Sequence, residues 1–280
     1  MPELPEVETL RRDLLAHLPG EQVVSAEVLR AASVGYPKPP TVFCEQMIGQ
    51  VFTDQITRRG KYLLLHLAAG ASLGVHLRMS GRLLWRSADL PLETHLRVRM
   101  IMASGYELRF EDMRVFGQLW LIPARTPPEQ IMTGLKRLGP EPFDEAFSPK
   151  YLAEQFRGRS QPIKTALLDQ HLVAGIGNIY ADESLFISRI HPLTPVRKLS
   201  LDALVRLHGA VVEVLAEGIV QRGTTLRNYT DAQGVNGNYA GTAWAYGRKG
   251  LPCRVCGAPM ERIRLAGRSA HFCSICQSLE

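Results

Sequence analysis

No stretch of this sequence approaches the roughly 18 consecutive apolar residues that a bilayer-spanning helix requires. Its first residues, MPELPEVETLRR, carry acids and prolines where a secretory leader would be basic and then apolar. The expectation is a cytosolic chain with no membrane partner. Cysteine is scarce, at five in 280 residues, and a reducing compartment disfavours pairing those five as disulfides. The chain also lacks the composition of disorder, because 45% of its residues are hydrophobic and 21% charged, enough to bury a core. No internal repeat is visible. The GIG at 175–177 has no β-run before it and no third glycine, which excludes a dinucleotide fingerprint.

A length of 280 residues exceeds what one core usually organises, so two or three domains are expected. The net charge of +6 is unevenly placed. Residues 1–50 hold four bases against seven acids, residues 51–123 ten against six, and residues 248–280 six against two. A basic middle block and tail suit a polyanion binder, although a solvated charged face accounts for them equally well. Four of the cysteines fall as Cys253-x-x-Cys256 and Cys273-x-x-Cys276 with sixteen residues between the pairs. Two tight turns, each offering two thiolates, complete a closed tetrahedral shell, so one structural zinc is expected. Metal binding should supply most of that segment's folding energy. Cys44 is left over as an inert buried thiol.

The texture of the chain changes along its length. Val7, Leu10, Leu14, Leu15 and Leu18 form a helical stripe after Pro5, ending at Pro19-Gly20. From Val23 to Ile122 the runs are short and β-favouring, among them 62–67, 83–85 and a hairpin over 97–110 around Ser104-Gly105. Six prolines mark 123–149 as a linker into helical sequence at 151–156, 164–171, 178–189 and 200–221. Residues 222–247, rich in Gly, Asn, Thr and Tyr, read as a long functional loop. The predicted architecture is α+β and multidomain: an N-terminal helix plus β-sandwich over 1–130, a helical domain over 131–247 and a zinc finger over 248–280.

Removal of Met1 before the small Pro2 would leave a secondary amine directly before a helix. With an ordinary α-amino pKa near about 8, lowered by the positive end of the helix dipole, such an amine can attack a sugar C1′ and form an iminium ion. Glu3, with Glu6 one turn on, supplies a carboxyl group for proton transfer. The plainer reading is that Pro and Glu simply start a helix well.

MPELPEVETLRR, RRGKYLL at 58–64, HLRMSGRL at 76–83, GIGNIYADESLF at 175–186 and YGRKGLPCRVCG running into GRSAHFCSICQ together resemble the formamidopyrimidine-DNA glycosylase family. The match runs in order along the whole chain, and ELPEVE and HLRMSG are more similar to the oxidised-purine branch than to endonuclease VIII. The resemblance implies a bifunctional DNA glycosylase/AP lyase, monomeric, acting on damaged double-stranded DNA, with zinc structural and a helix-two-turn-helix in the helical domain. It implies Pro2 as nucleophile, Glu3 as general acid/base, Lys61 beside the lesion phosphodiester, and Arg268 in the zinc hairpin assisting the second elimination. Met79, Arg114 and Phe116 would enter the DNA stack, where apolar wedges offset the few kcal/mol of base extrusion; core packing is the plainer reading of Met79 and Phe116. Arg114, a pure donor, would pair with an orphaned cytosine. His95, Asn178 and Arg159 would contact phosphates, and an N-cap is the plainer reading of Asn178. The loop 222–247 would read the lesion.

Three positions depart from the family pattern. Ala270 replaces a usual threonine, Cys273-Ser-Ile-Cys276 lacks the usual proline, and Arg222 stands where glycine is common. The rival readings are a catalytically silent lesion-binding zinc-finger protein and a glycosylase for oxidised pyrimidines.

Overall fold

The computed structural model describes residues 1–224, 232, 234–235 and 237–279, the side chain of residue 240 excepted. The chain divides into two compact units, Met1–Lys136 with Gln221–Asn238, and Arg137–Val220 with Tyr239–Glu280. In this division residues 221–238 group with the first unit and the zinc segment with the helices.

The first unit opens on helix α1 (Leu4–Leu15). Its start is doubly satisfied: the Glu3 carboxylate accepts from the Glu6 amide, and the Glu6 carboxylate accepts from the Glu3 amide at 2.7 Å, so two orphan donors of the first turn are met. The predicted stripe is real, with Val7, Leu10, Leu14 and Leu18 all buried. There follow β1 (Val23–Val28), β2 (Val34–Tyr36), α2 (Pro40–Met47), β3 (Phe52–Arg59), β4 (Tyr62–Leu67), β5 (Ser72–His76), β6 (Gly81–Ser87), β7 (Leu96–Met102), β8 (Tyr106–Asp112) and β9 (Gln118–Ile122). They form a four-stranded sheet, β1-β7-β8-β6, and a five-stranded sheet, β2-β9-β5-β4-β3. A single cluster of buried side chains joins α1 and both sheets into the predicted β-sandwich. Alternation places Leu96, Val98, Met100 and Met102 inside. Central β5 is buried throughout, and the Met132 side chain packs over Gly74, its sulfur 2.4 Å from where a Cβ would stand. Helix α2, which carries half-buried Cys44, was not foreseen. The expected linker contains a short helix, α3 (Pro128–Ile131).

The second unit contains α4 (Pro149–Phe156), α5 (Ile163–Leu167), α6 (Asn178–Ile187), α7 (Leu201–Val220), α8 (Tyr239–Thr242) and the hairpin β10 (Glu261–Leu265) and β11 (Arg268–Phe272). Helix α6 packs against α5, α7 and β11 and is buried from Ile179 to Phe186. Asp182, Glu183 and Ser184 are therefore out of water and must find partners. Glu183 accepts from the amides of Trp244, Ala245 and Tyr246 at 2.7–2.9 Å. Burial pushes its carboxyl up, against the three amides that hold it down.

Glu183→Ala is expected to leave three amides without an acceptor. At about 1–3 kcal/mol for each unsatisfied group, it should destabilise this unit by about 3 kcal/mol or more, and Glu183→Gln by less. Denaturant midpoints, with hydrogen exchange at the 244–246 amides, would measure both.

Candidate active site and nucleic-acid interface

Pro2 is buried directly ahead of α1, with Met1 47% exposed in front of it. Glu3 is 2% exposed and is the N-cap. Five residues further along, Glu8 is held by Arg11, Arg12 and Arg58 at 2.8–3.3 Å. Burial works to raise its carboxyl, but hydrogen bonds from Arg11 and Arg12 and the charges of Arg11 and Arg58 bring it down to about 2. Arg58 thereby ties β3 to the first turns of α1. Lys61 follows Gly60 in the β3–β4 turn and is 7% exposed, so it is not a lysine of a solvated strand face.

His76, at the end of β5, was not foreseen as part of this region. It is 6% exposed, its ring lies 4.2 Å from that of Tyr62, and its Nδ1 accepts from the Arg78 amide at 3.2 Å. Burial, then the charges of Arg78 and Lys61, bring its pKa down to about 3. A neutral imidazole therefore sits beside two cations. The histidine before LRMSG could have drawn attention, but its burial is a product of the sheet.

Met79 comes from the β5–β6 turn, and Arg114 and Phe116 from the β8–β9 turn. All three are exposed, so core packing is not their role. They are nonetheless clustered: Arg114 Nη1 lies 3.1 Å from the Met79 sulfur, and the guanidinium lies 4.8 Å above the Phe116 ring. Beneath them is a residue that sequence reasoning missed. Fully buried Asp112 accepts from the amides of Arg114, Phe116 and Gly117 at 2.6–3.1 Å and from the Ser80 hydroxyl. Arg78 and Val115 have φ of 54° and 56°. Both turns thus carry left-handed residues without being glycine, a strain that the carboxylate stabilises. His95 is exposed close by in sequence, 3.5 Å from Arg97 Nη2.

In the second unit, Asn178 is not the N-cap that the plainer reading made it; Gly177 is. The freed Asn178 Nδ2 donates to Ser269 Oγ at 3.2 Å, placing α6 against the strand that begins with exposed Arg268. Buried Lys164 strengthens that junction by donating to the carbonyls of Asn178 and Ser269 and to Asp182. His271 meets Asp182 at 3.0 Å through both its amide and its ring. Arg159 is exposed beyond α4, its carbonyl accepting from the Arg197 amide at 3.2 Å.

The four remaining thiols lie within 4.8 Å of one another, with Cys253–Cys276 at 3.9 Å and Cys256–Cys273 at 3.5 Å between sulfurs. A zinc–sulfur bond of about 2.3 Å in tetrahedral geometry needs sulfurs about 3.8 Å apart. The donor set fits, and these cysteines bind one structural zinc. Of the loop expected to read the lesion, residues 225–231, 233 and 236 lie outside the described residues.

Domain by domain, the chain matches DNA-repair glycosylases of the helix-two-turn-helix class. The formamidopyrimidine-DNA glycosylase N-terminal domain matches residues 1–119, the formamidopyrimidine-DNA glycosylase H2TH domain residues 138–230, and the zinc finger found in FPG and IleRS residues 250–279. The formamidopyrimidine-DNA glycosylase of Gloeobacter violaceus is 72% identical over 99% of this chain and 98% of its own. That of Acaryochloris marina is 49% identical over 99% of each. The Lactococcus lactis Fpg in complex with an abasic site containing DNA has a TM-score of 0.91 at 36% identity, covering 99% of this chain and 100% of its own. The chain belongs to the formamidopyrimidine-DNA glycosylase family.

The depressed pKa of His76 has a consequence for stability. Above its ordinary value of 6.5 the ring is neutral whether the chain is folded or not. As pH falls from 6.5 toward about 3, the unfolded chain binds a proton that the folded one refuses. Stability from this group should fall by up to about 1.4 kcal/mol per pH unit in that window. Urea unfolding at pH 7 and pH 5 should show this loss in the wild type and a smaller one in His76→Asn.

Proposed function

We propose that this protein excises oxidised purines, 8-oxoguanine and formamidopyrimidines, from damaged duplex DNA as a bifunctional glycosylase/AP lyase of base excision repair. The observation that carries the reading is Pro2 immediately ahead of the capped α1, with Glu3 as the N-cap. Once Met1 is removed, the proline nitrogen attacks C1′ of the lesion nucleoside. The C1′–N bond to the base breaks and the base leaves with its bonding electrons and a proton; the proline nitrogen gives up its own proton, its lone pair expels O4′ as the C1′–O4′ bond opens, O4′ takes a proton, and an iminium ion joins enzyme to sugar. Glu3 moves protons at the sugar. Loss of the C2′ proton expels the 3′ phosphate, and a second elimination expels the 5′ phosphate. Lys61 and Arg268 are the cations assigned to those phosphates. Zinc supplies no step; it holds the β10–β11 hairpin that carries Arg268.

Met79, Arg114 and Phe116 are assigned to the space left by the extruded nucleotide, in keeping with their shared exposure and mutual contacts. His95, Asn178 and Arg159 are assigned to backbone phosphates. The reading takes one chain as sufficient, since it carries every residue named. Cytosolic placement is supported by thiols arranged for zinc rather than for disulfides. No described helix is long and apolar enough to cross a membrane. Oxidised pyrimidines are a second reading, favoured by one observation: the Lactococcus lactis protein, 35% identical, has been solved with an oxidised pyrimidine containing DNA. Cleavage of 8-oxoguanine and thymine-glycol duplexes compared side by side separates the two.

With borohydride present, lesion DNA is expected to become irreversibly attached to the N-terminal peptide. Pro2→Gly should cripple this attachment while leaving binding to an abasic-site analogue largely intact. Attachment through Lys61, or Met1 retained in the active protein, would contradict the mechanism.

Arg114 should set the partner-base preference. Cytosine offers acceptors to its donors, whereas adenine presents an amino group and leaves a donor unsatisfied, at about 1–3 kcal/mol. That corresponds to roughly tenfold to a hundredfold preference for lesion:C over lesion:A. Single-turnover excision by Arg114→Ala should be slower opposite cytosine with a flattened ratio, and Phe116→Ala should slow both contexts alike.

A further inference from the structure

Arg222, the residue that departs from the usual glycine, has φ of 58°, in the left-handed region where glycine is the comfortable choice. Strain tolerated at such a position points to a contact that only the larger residue can make. That contact is an ion pair in which Arg222 Nη2 donates to both oxygens of Asp13 at 2.7 and 2.8 Å. Asp13 is buried on α1 and also lies 3.4 Å from the amide of Ala232. Two turns back along the same helix face, the Glu6 carboxylate accepts from the amide of Thr224 at 2.7 Å and, with its other oxygen, from that of Glu3 at 2.7 Å. Gly223 lies flat against it, since a Cβ there would meet Glu6 Cγ at 2.8 Å. Residues 222–224 therefore form a strap along α1, attached at one end to Asp13 and at the other to the carboxylate that holds the helix N-cap.

We propose that Arg222 is a positioning residue for the amino-terminal catalytic pair. By fixing the strap on Asp13 it keeps the Thr224 amide on Glu6, and Glu6 in turn keeps the Glu3 backbone, and with it Pro2, in one place. In this role Arg222 acts through Asp13 and Glu6 and not through a contact of its own with the sugar. The inference rests on the functional reading above, with Pro2 as nucleophile.

The test compares wild type, Arg222→Gly, Arg222→Lys, Asp13→Asn and the Asp13→Asn/Arg222→Gly double variant in borohydride trapping of a duplex carrying one abasic site. Glycine suits the backbone at 222 and the arginine side chain is half exposed, so Arg222→Gly retains its fold; thermal melting checks this. Arg222→Gly and Asp13→Asn should each lower the single-turnover trapping rate at saturating enzyme by roughly threefold to tenfold, the size of a coupling within one hydrogen-bond network. The concentration for half-saturation should be unchanged. The double variant should be no slower than the slower single variant, and Arg222→Lys should restore most of the loss. A wild-type rate in Arg222→Gly, a loss confined to half-saturation, additive losses in the double variant, or a lysine variant as slow as the glycine one overturns the proposal. A wild type that traps no DNA overturns instead the functional reading beneath it.

Discussion

A carboxylate taken out of water must be given donors or it unfolds what surrounds it, and this constraint shapes every working part of the molecule. Five buried or nearly buried acids meet it in the same way, by collecting backbone amides and cations from segments that would otherwise be irregular. Glu6 gathers Glu3 and Thr224, Asp13 gathers Arg222, and Asp112 gathers the turn of Arg114 and Phe116. In the second unit Asp182 gathers Lys164 and His271, and Glu183 gathers residues 244–246. The segments that carry the candidate site residues are held by buried acids from neighbouring elements.

This arrangement separates rigidity from exposure. Arg114, Phe116 and Met79 stand in solvent, where a large partner can reach them, yet Asp112 fixes the amides of Arg114 and Phe116 and accepts from Ser80, the neighbour of Met79. Asn178 and Arg268 lie on different elements, but Lys164 and the Asn178–Ser269 bond set the distance between helix and hairpin. Preorganisation of this kind means that little ordering remains to be done when a ligand binds. The zinc site serves the same end, because so short a hairpin has almost no core of its own.

Part of the fold and the metal site were legible in the chain because their signals are local, whereas the roles of Lys61, Arg114 and Arg268 came from resemblance to a family. The stripe from Val7 to Leu18, the two CxxC pairs and the capped start at Glu3 depend on spacings of a few residues. Other features were not legible. Helix α2 is short and buries chiefly Phe43 and Met47, too little periodicity to stand out. Asn178 was read as a cap from its type and place, whereas Gly177 takes the cap and frees the asparagine to reach Ser269, 91 residues away. Asp112 has no local signal, because its donors come from Ser80, Arg114, Phe116 and Gly117 only once the two turns have met. His76 was only a letter in a motif.

The sequence by itself determined what local chemistry can determine: a helix at the amino terminus with a proline before it, alternating strands, a four-thiolate metal site and a basic surplus in the middle and tail. Only the tertiary structure decided which unit owns residues 221–238, which acid answers which amide, and which of the many arginines stand in solvent. The physical reason is range. Caps, turns and CxxC knuckles are closed by residues three or four apart, while the bond between Arg222 and Asp13 spans 209 residues, and no spacing rule encodes a contact that exists only after both sheets have closed on α1.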